Sequence, residues 1–493
     1  MTNKISMIEL FSGIGAQERA LRQLGLPYEI INTCDCDANA VLSYAAMRWD
    51  LEKEMETYEF PSQDKMIEEL QAKNLGYDFQ KGKHSITSRT PITKLKQYYI
   101  ADKLSKNLGD ISKVERLPYA DLTTYSFCCQ DLSVAGKGEG MKLNCDECGH
   151  SWPVDFERPE NNNICPHCGN ANIVSTRSGL LGQVQRLLIA AKEDNTLPKY
   201  LLLENVKNLV GKKFIGQFEA WVKWLDGIGY NTYWKIINSK HMGVPQNRER
   251  VFAISIRKDV DIKGFIFPET IPLATRLKDV LENNADEKYY LPDDRMEKIL
   301  NSTFMKNKQR LEPNFSGCTN ILTSVQKDNY VCEPIIVEDF YQNRNPRTYV
   351  DVAPTIRSER NGLKTAEGEI EYPCSTRGKQ VASAIRASIY KQGARNLEEN
   401  VINGLGYEGV IEQETSKIKW RIRKLTPKEC TRLMNFTDKD YEAMAKYVSN
   451  SVIYKADGNS IVVACLIAIM SSLFIEDGYK SEVWTKYALN YND

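Results

Sequence analysis

The chain is organised around one stretch, Ser126-Phe127-Cys128-Cys129-Gln130-Asp131-Leu132-Ser133. It follows an extended run from Tyr119 to Tyr125 and leads into a glycine-rich segment from Val134 to Gly140. Open α/β sheets carry out their chemistry at the carboxyl ends of strands, where loops begin. The cysteine at this point is therefore a candidate nucleophile.

Two further stretches are expected at the same edge of the sheet. Phe11-Ser12-Gly13-Ile14-Gly15 follows a predicted strand and precedes a predicted helix, so its backbone N–H groups can face a ligand. Glu204-Asn205-Val206 ends the apolar strand that begins at Tyr200. Glu204 is either a turn-forming acid or a functional carboxyl group. A nucleophilic cysteine, a carboxyl group and a glycine-rich cofactor turn together outline a group-transfer enzyme.

Length and composition set the limits of this interpretation. The 493 residues are enough for two or three domains with separate cores. Basic and acidic residues number 65 each, so any nucleic-acid site must be a local patch. The 13 cysteines are too few for a disulfide scaffold, and we find neither a signal peptide nor an apolar run of about 20 residues. We expect a soluble intracellular protein with mostly reduced thiols.

Two acidic residues are candidates for binding a nucleotide cofactor. Asp35 comes directly after a predicted strand and about 20 positions after the glycine turn. An acidic residue at that distance suits a pair of ribose hydroxyls. Asp110, in Gly109-Asp110-Ile111, is predicted to end a third strand region at the same edge. Each feature has an alternative interpretation. The glycines can simply turn the chain without binding a ligand, and Asp110 can cap a helix or a turn.

Four cysteines form two pairs, Cys145 with Cys148 and Cys165 with Cys168. The pairs are separated by 16 residues, and a glycine follows each of them, as in a zinc ribbon. The alternative is a pair of reactive dithiols or disulfides in a flexible loop. The spacing and the reducing compartment favour zinc.

The remaining segments differ in regularity. Residues 49–106 are polar and are predicted to be a mostly helical surface insertion. From about 258 to about 416 the strand–helix rhythm is lost, and arginines alternate with tyrosines, which suits phosphate and base contacts or a solvated loop face. Regular structure returns after 417, where Thr426 and Pro427 predict the start of a helix.

The motifs, in this order, resemble those of the cytosine-C5 DNA methyltransferases of prokaryotes and phages. The matching stretches are FSGIG (Phe11–Gly15), CDCD (Cys34–Asp37), GDI (Gly109–Ile111), CCQDLS (Cys128–Ser133), RSGL (Arg177–Leu180), ENV (Glu204–Val206), QNRER (Gln246–Arg250), RKLTPKECTRLMNF (Arg423–Phe436) and GNS (Gly458–Ser460). The resemblance implies an α/β fold with a doubly wound, Rossmann-like sheet. It also implies a smaller, irregular β-rich target-recognition domain in the middle of the chain.

The resemblance assigns catalytic roles to four residues. Cys129 attacks C6 of cytosine, and Cys128 stands where the family has proline. Glu204 contacts N3, which requires a shared or retained proton that a dry pocket favours. Arg250 contacts O2 and Arg248 braces it. The base must be flipped out of the duplex for this chemistry.

The cofactor implied by the resemblance is S-adenosylmethionine. Phe11 is expected to pack on its adenine, and Gly13 and Gly15 to admit its methionine end. Asp35 is expected to hold the ribose, Asp110 the adenine amine and Asn459 the methionine portion. The predicted cofactor set is completed by Ile14, Cys36, Ile111 and Ser460.

We predict three divisions of the chain: a catalytic domain at 1–257, a target-recognition domain at 258–416 and a returning C-terminal segment at 417–493. The catalytic domain carries the 49–106 insertion and the zinc ribbon at 141–172. The ribbon follows the family's mobile catalytic loop, either as a tolerated surface module or as a DNA-facing surface.

The expected partner is double-stranded DNA, read in a sequence-specific way. A separately acting restriction endonuclease is a candidate partner, and we expect a monomer with no membrane association in the cytoplasm of a bacterium or phage-infected cell. Two other functions fit the same motifs: methylation of RNA, and DNA binding by a catalytically silent regulator. Retention of Cys129, Glu204, Arg250 and Asn459 argues against the silent regulator.

Overall fold

The computed structural model describes residues 4–79, 81–127, 132, 140–171, 173–175, 178–290, 292, 311–313, 319–320, 330–336 and 418–488. The predicted nucleophile Cys129, its neighbour Cys128 and Arg177 lie outside these residues. Most of the predicted target-recognition segment also lies outside them.

Strands and helices alternate through the first half of the chain. In order they are β1 (Ile5–Leu10), α1 (Ala16–Leu24), β2 (Tyr28–Cys34), α2 (Ala38–Ala46), α3 (Leu51–Thr57), α4 (Gln63–Ala72), β3 (Tyr77–Asp78), β4 (Lys83–His84), α5 (Ile92–Leu104), β5 (Leu122–Tyr125), β6 (Lys142–Cys145), β7 (Ser151–Pro153), β8 (Ile173–Ser175), α6 (Leu181–Glu193), β9 (Tyr200–Val206), α7 (Ile215–Ile228), β10 (Tyr230–Asn238), β11 (Gln246–Asn247) and β12 (Glu249–Arg257).

Short strands and then helices make up the described remainder. They are β13 (Leu311–Pro313), β14 (Thr319–Asn320), β15 (Tyr330–Ile336), β16 (Ile418–Lys424), α8 (Pro427–Leu433), α9 (Asp438–Ala445), α10 (Asn450–Asn459), α11 (Val463–Phe474) and α12 (Ser481–Trp484).

The central sheet has six strands in the order β10-β12-β9-β5-β1-β2. Neighbours from β9 to β2 are parallel, whereas β12 runs antiparallel to both β9 and β10. The chain goes from β1 outwards to β2 and then returns to β5 on the other side of β1. This reversal creates a crevice at the carboxyl ends of β1 and β5, where open α/β sheets bind ligands. The expected doubly wound α/β fold is confirmed, with a mixed sheet.

The sheet is stabilised by apolar strands buried between helices. Leu201, Leu202 and Leu203 of β9 are at most 1% exposed, as expected for a parallel strand covered on both faces. Trp221 of α7 and Tyr125 of β5 are equally buried, and the Trp221 indole N–H donates to the Tyr125 hydroxyl over 3.3 Å. This core fixes the strand ends from which the site residues project.

The strand predicted at Gly109-Asp110-Ile111 does not form. Only an isolated parallel bridge joins Thr33 to Asn107 there, and Gly109 turns the chain with φ of 79°. Asp110 then accepts a hydrogen bond from Ser112 N at 2.9 Å and caps the short 3-10 helix Ile111–Lys113. The capping alternative therefore describes the local structure, although Asp110 still lies beside the end of β2.

Residues 49–106 contain three helices, α3 to α5, and the two-stranded hairpin of β3 and β4. Asp50 and Ser62 cap α3 and α4 by accepting from Lys53 N and Lys65 N, respectively. The last helix, α5, packs against α2 of the preceding segment as well as against α3 and α4. The insertion is thus joined to the helix that follows β2.

By contacts, the chain divides into two compact units. The first comprises residues 1–242, 248–271 and 434–493, and the second comprises residues 243–247 and 272–433. In the second, β15 pairs with β13 and β16, and the buried Arg423 holds Glu429 through two hydrogen bonds of 2.7 and 2.8 Å. Thr426 caps α8, as its sequence predicted, by accepting from Glu429 N at 3.2 Å.

The stretch Asn450–Phe474 is long and apolar enough to cross a membrane, judged by length and composition alone. It consists of α10 and α11, and 67% of its most apolar window is buried inside the protein. The residues of α11 from Val463 to Met470 are nearly all inaccessible, and the helix packs against α1. The stretch therefore has the properties of a core element of the first unit.

Candidate active site

An ion pair lies at the carboxyl end of β9. Glu204 Oε1 is 3.1 Å from Arg250 Nε, and the two side chains are only 9% and 13% exposed. The antiparallel register of β9 and β12 brings these residues together, with Glu204 opposite Phe252 and Val206 opposite Arg250. Burial raises the pKa of Glu204, while Arg250 and Arg248 lower it. The carboxyl group therefore keeps a proton to higher pH than an exposed glutamate does.

Arg248 connects the QNRER motif to the GNS motif. Its Nη2 donates to the carbonyl oxygens of Gly458 at 3.1 Å and Ser460 at 2.7 Å, and the residue is 3% exposed. Arg248 thus fixes the backbone around Asn459, the last residue of α10. This contact supports the predicted methionine-binding segment as well as the neighbouring Glu204.

The described residues on either side of the predicted nucleophile are anchored to the sheet. Asn205 Nδ2 donates to the carbonyl of Phe127 at 2.9 Å, next to the start of the CCQDLS motif. Beyond the glycine-rich segment, Gln217 Nε2 donates to the carbonyl of Met141 at 3.0 Å. Both Phe127 and Met141 are buried. The described residues before and after the CCQDLS motif and the glycine-rich segment are therefore held by side chains of β9 and α7.

The FSGIG turn has three residues with positive φ: Phe11, Gly13 and Gly15. A Cβ on Gly15 would lie 2.2 Å from Arg48 Nη2 and 2.4 Å from the Tyr44 ring, so only glycine fits there. Phe11 N donates to the carbonyl of Cys34 at 2.8 Å, which joins this turn to the end of β2. The predicted cofactor turn is thus held at the crevice between β1 and β5.

Arg48, which the sequence did not single out, lies beneath this turn. Its Nη2 donates to the carbonyl of Gly15 at 2.7 Å and is 2.6 Å from Glu18 Oε2, and its Nη1 reaches the carbonyl of Ile14 at 3.4 Å. Its guanidinium also stacks on the ring of Tyr44, 3.4 Å from the centroid. No periodic pattern could have identified this residue, because its contacts with the glycine turn join positions more than thirty residues apart in the chain.

Asp35 receives two backbone hydrogen bonds, from Gly13 N at 2.9 Å and from Asp37 N at 2.8 Å. Burial and the nearby Asp37 carboxylate raise the pKa of Asp35 to about 6. A carboxylate has about four acceptor positions, so two remain for hydroxyl donors. Asp35 therefore fits a ribose, and Cys36 follows it with its thiol partly buried.

Asp110 is 6% exposed, and each of its oxygens accepts one hydrogen bond. The donors are Ser112 N at 2.9 Å and Asn74 Nδ2 at 2.8 Å. Further acceptor capacity remains on the same oxygens for an amine. Ile111, the other residue predicted for this part of the cofactor site, is buried.

Direct contacts join the predicted site motifs to one another. FSGIG meets CDCD through Gly13 and Asp35, and CDCD meets GDI where Cys34 Sγ donates to the carbonyl of Gly109 at 3.1 Å. Lys455 Nζ of α10 is 2.7 Å from Asp37 Oδ2, which brings the helix that carries Asn459 to the end of β2. The structure therefore places the described residues of the predicted cofactor site along one edge of the sheet.

The four cysteines of the ribbon converge. All four Sγ atoms lie within 4.8 Å of one another, with 3.5 Å between Cys145 and Cys168 and 3.7 Å between Cys148 and Cys165. Four thiolates about 2.3 Å from a tetrahedral zinc ion would be about 3.8 Å apart. The donor set therefore fits a structural zinc ion.

The two halves of the ribbon have matching backbone turns. Gly149 N donates to the carbonyl of Cys145, and Gly169 N donates to the carbonyl of Cys165, each at 2.9 Å. Both glycines have positive φ, 70° and 73°. The strands β7, β6 and β8 form a three-stranded sheet in that order, with β6 at its centre.

The ribbon packs on the core of the first unit. Phe156 is 1% exposed, and its ring lies 5.6 Å from the ring of Trp221 in α7. Gln185 Nε2 of α6 donates to the carbonyl of Phe156 at 2.8 Å. Met141, Leu143 and Val154 belong to the same buried cluster as Trp221. The insertion is therefore continuous with the core of the first unit.

Comparisons with known proteins show the family of this chain. Residues 70–147 and 167–474 match the family described as C-5 cytosine-specific DNA methylase, and the unmatched residues between them lie inside the ribbon. The type II methyltransferase M2.ScrFI of Lactococcus lactis subsp. cremoris is 28% identical over 472 residues, which cover 95% of this chain and 99% of the relative.

The orphan methyltransferase M.SPBetaI of Bacillus phage SPbeta is 29% identical over 514 residues, which cover 96% of this chain and 98% of the relative. Among solved structures, the S. pombe Dnmt2 methyltransferase is 16% identical with a TM-score of 0.47, and the match covers 96% of this chain and 99% of that one. Because the family match spans well over half of its length, this chain belongs to the C-5 cytosine-specific DNA methylase family and is a DNA (cytosine-5) methyltransferase that uses S-adenosylmethionine.

Proposed function

We propose that Cys129, Glu204 and Arg250 carry out the methylation of cytosine at the crevice between β1 and β5. The observation that supports this assignment is the buried Glu204–Arg250 pair: Glu204 lies on β9, next to the strand that leads to Cys129, and Arg250 lies on β12, the neighbour of β9 on its other side. The pair combines a carboxyl group of raised pKa with a fixed guanidinium. These groups suit the N3 and O2 atoms of a cytosine.

In this mechanism the Cys129 thiolate forms a bond to C6 of the flipped cytosine. Glu204 gives a proton or a hydrogen bond to N3, and Arg250 donates to O2, so the ring accepts the electron pair and C5 becomes nucleophilic. Bound S-adenosylmethionine supplies the methyl group that C5 takes up. Loss of the C5 proton then returns the electron pair to the ring and releases Cys129 as a thiolate.

The assignments of the cofactor-binding residues are supported by the hydrogen bonds that hold Asp35, Asp110 and the backbone around Asn459. We propose that Asp35 accepts from the ribose hydroxyls, that Asp110 accepts from the adenine amine, and that Phe11 packs on the adenine. The glycine turn, with Ile14, Cys36, Ile111 and Ser460 beside it, completes the site. Asn459 contacts the methionine portion from the backbone segment that Arg248 holds.

Trapping on 5-fluorocytosine DNA tests the nucleophile, because fluorine at C5 blocks its release. Duplex DNA with labelled S-adenosylmethionine should form a covalent complex with the wild-type chain and with Cys128→Ala, but not with Cys129→Ala. Glu204→Gln should still bind DNA but react slowly. A trapped complex with Cys129→Ala and none with Cys128→Ala would overturn the assignment. Parallel reactions on RNA test whether the chain also accepts that substrate.

We further propose that residues 258–416 select the DNA sequence and that 1–257 and 417–493 carry the chemistry. Arginines in the selecting segment that contact guanine should each change discrimination by about 1–3 kcal/mol. Grafting the segment onto a related enzyme should transfer the methylated sequence, which bisulfite sequencing of host DNA would reveal. An unchanged sequence after grafting would contradict this division.

The ribbon is proposed to hold one structural Zn²⁺ through Cys145, Cys148, Cys165 and Cys168. The geometry of the four sulfurs supports this, as do the two matching turns. Metal analysis should give one zinc per chain, and Co²⁺ substitution should give the absorption of a tetrahedral thiolate site. Cys148→Ser with Cys168→Ser should lose both. If the metal-free protein resists proteolysis within the ribbon as well as the metal-loaded protein does, the proposal is contradicted.

We also propose that the chain acts as a cytoplasmic monomer. The relatives include both a type II methyltransferase and orphan methyltransferases by name. One proposal is therefore a cognate restriction endonuclease that acts separately, and the other is an orphan methyltransferase without such a partner.

Sedimentation of the purified chain with and without DNA tests whether it is a monomer. Digestion of unmethylated host DNA by products of the neighbouring genes tests for the endonuclease.

A further inference from the structure

We propose that the polar insertion at 49–106 contributes a positioning residue, Asn74, to the adenine end of the cofactor site. The inference rests on the proposed function, in which Asp110 accepts from the adenine amine. Asn74 acts through Asp110 rather than on the cofactor itself. In this way the insertion has a part in the reaction as well as a place on the surface.

The first observation is the contact between the insertion and the Asp110 backbone. After α4 ends, the carbonyl of Lys73 accepts a hydrogen bond from Asp110 N at 2.9 Å. The approach is so close that a Cβ on Gly109 would lie 2.3 Å from the Lys73 carbonyl oxygen. Because the strand expected at this position is reduced to a single bridge, the insertion supplies a partner that a neighbouring strand would otherwise provide.

The second observation is how the Asp110 carboxylate is held. Ser112 N binds one oxygen, and Asn74 Nδ2 binds the other at 2.8 Å. With one donor on each oxygen, rotation about the Cβ–Cγ bond would break a hydrogen bond. The remaining acceptor positions are therefore fixed in direction. Without Asn74 only the Ser112 contact would set this orientation.

The backbone of Asn74 fits this task. Its φ is 55°, in the left-handed region that asparagine tolerates better than most residues. The amide of Asn74 is therefore presented from a tight turn directly after α4 rather than from a mobile loop. The turn is itself tied down, because Gly76 N donates to the carbonyl of Cys36 at 2.8 Å.

A buried polar network extends the same support to Asp35. Lys73 Nζ donates to Asp102 Oδ2 and to the carbonyl of Asn107, each at 2.7 Å. Asn107 in turn donates to the carbonyl of Asp35 at 3.1 Å and accepts from Asp35 N at 3.0 Å. The insertion thus contacts Asp110, proposed for the adenine, directly, and reaches Asp35, proposed for the ribose, through Asn107.

The test compares two ligands that differ at one position of the base. S-adenosylhomocysteine carries the 6-amino group that Asp110 would accept from, whereas its hypoxanthine counterpart carries a carbonyl there. Titration calorimetry would give both dissociation constants. Wild-type chain should prefer the adenine compound by about 10- to 100-fold, as expected for a hydrogen bond to a charged group.

The informative variant is Asn74→Gly, because glycine adopts the positive φ without strain. It should weaken adenine-compound binding about three- to tenfold and leave binding of the hypoxanthine compound unchanged. In an Asp110→Ala background the same change should have no further effect, since both residues act through one contact. Asn74→Asp keeps the shape but opposes a second carboxylate to Asp110, and should weaken adenine-compound binding further.

Gln71→Ala is the matched control. Gln71 lies in the last turn of α4, three residues before Asn74, but its side-chain amide donates to the carbonyl of Ile86 within the insertion, at 2.8 Å. It should leave the base preference unchanged. A wild-type preference retained in Asn74→Gly, or an equal loss for both ligands, would overturn the inference while the proposed function stands. Wild-type chain that binds neither ligand would overturn the proposed function itself.

Discussion

Replacement of Arg48 by methionine should destabilise the first unit and loosen the cofactor turn. Arg48 is 6% exposed and its partner Glu18 is 3% exposed, so the change leaves a buried carboxylate without its closest cation. Breaking a buried pair on one side costs about 3–5 kcal/mol. The lost hydrogen bonds to the carbonyls of Ile14 and Gly15 act in the same direction but are not additive with it.

This magnitude is measurable by thermal unfolding. For a unit of more than 250 residues each kcal/mol lowers the Tm by about 2 °C, so Arg48→Met should melt about 6–10 °C lower. The matched control is Arg116→Met, because Arg116 is 55% exposed and pairs with Glu193 and Asp194 at the surface. That control should melt within about 2 °C of wild type.

A double variant separates charge from packing. If the unpaired Glu18 carboxylate is the main penalty, Arg48→Met with Glu18→Gln should recover part of the lost Tm. Binding of S-adenosylhomocysteine should remain weaker in both variants, because the carbonyl of Gly15 has lost its donor. Equal melting of Arg48→Met and Arg116→Met would refute the reasoning.

Three further predictions concern other parts of the chain. Phe156→Ala should cost about 3–5 kcal/mol and expose the ribbon to limited proteolysis, whereas Ile164→Ala, at a side chain that is 55% exposed, should not. Because the pKa of Asp35 is raised to about 6, its anion is lost as the pH falls through that value. Affinity for S-adenosylhomocysteine should therefore be constant above about pH 7 and decline below about pH 6, and Asp35→Asn should flatten this dependence. Arg423→Met should destabilise the second unit by about 3–5 kcal/mol, and adding Glu429→Gln should restore part of the loss; equal melting of the single and double variants would contradict this.

The regular elements of the sheet could be predicted because burial leaves a local pattern. Leu201 to Leu203 form an apolar run typical of a covered parallel strand, and the strand predicted to begin at Tyr200 forms as β9, Tyr200–Val206. The helix that begins at Pro427 was equally readable from its cap. The strand predicted at Gly109-Asp110-Ile111 was wrong, because a glycine with positive φ and an aspartate cap turn the chain there.

The supporting contacts of the site could not be predicted in the same way. Asn74 and Asp110 are 36 positions apart, and Asn205 and Phe127 are 78 apart. Polar contacts over such separations create no periodicity, since each depends on a single side chain and on the path of the whole chain. The motifs therefore predicted which residues face the ligands, whereas the residues that support them became visible only in the fold.

The ribbon is connected to the rest of the chain through two paired strands, β6 and β8. Leu143 of β6 lies opposite Ser175 of β8 in an antiparallel pair, where Cα atoms are about 4.5–5.5 Å apart. A two-residue turn can bridge such a gap, so the backbone sets no minimum length for the module between these strands. What constrains the module is Phe156, which is buried against Trp221 of α7. The anchoring of Met141 by Gln217 lies before these strands and does not depend on the length of the module. The length and surface of the module can therefore vary between related chains, whereas an apolar side chain at the position of Phe156 is needed to fill the core.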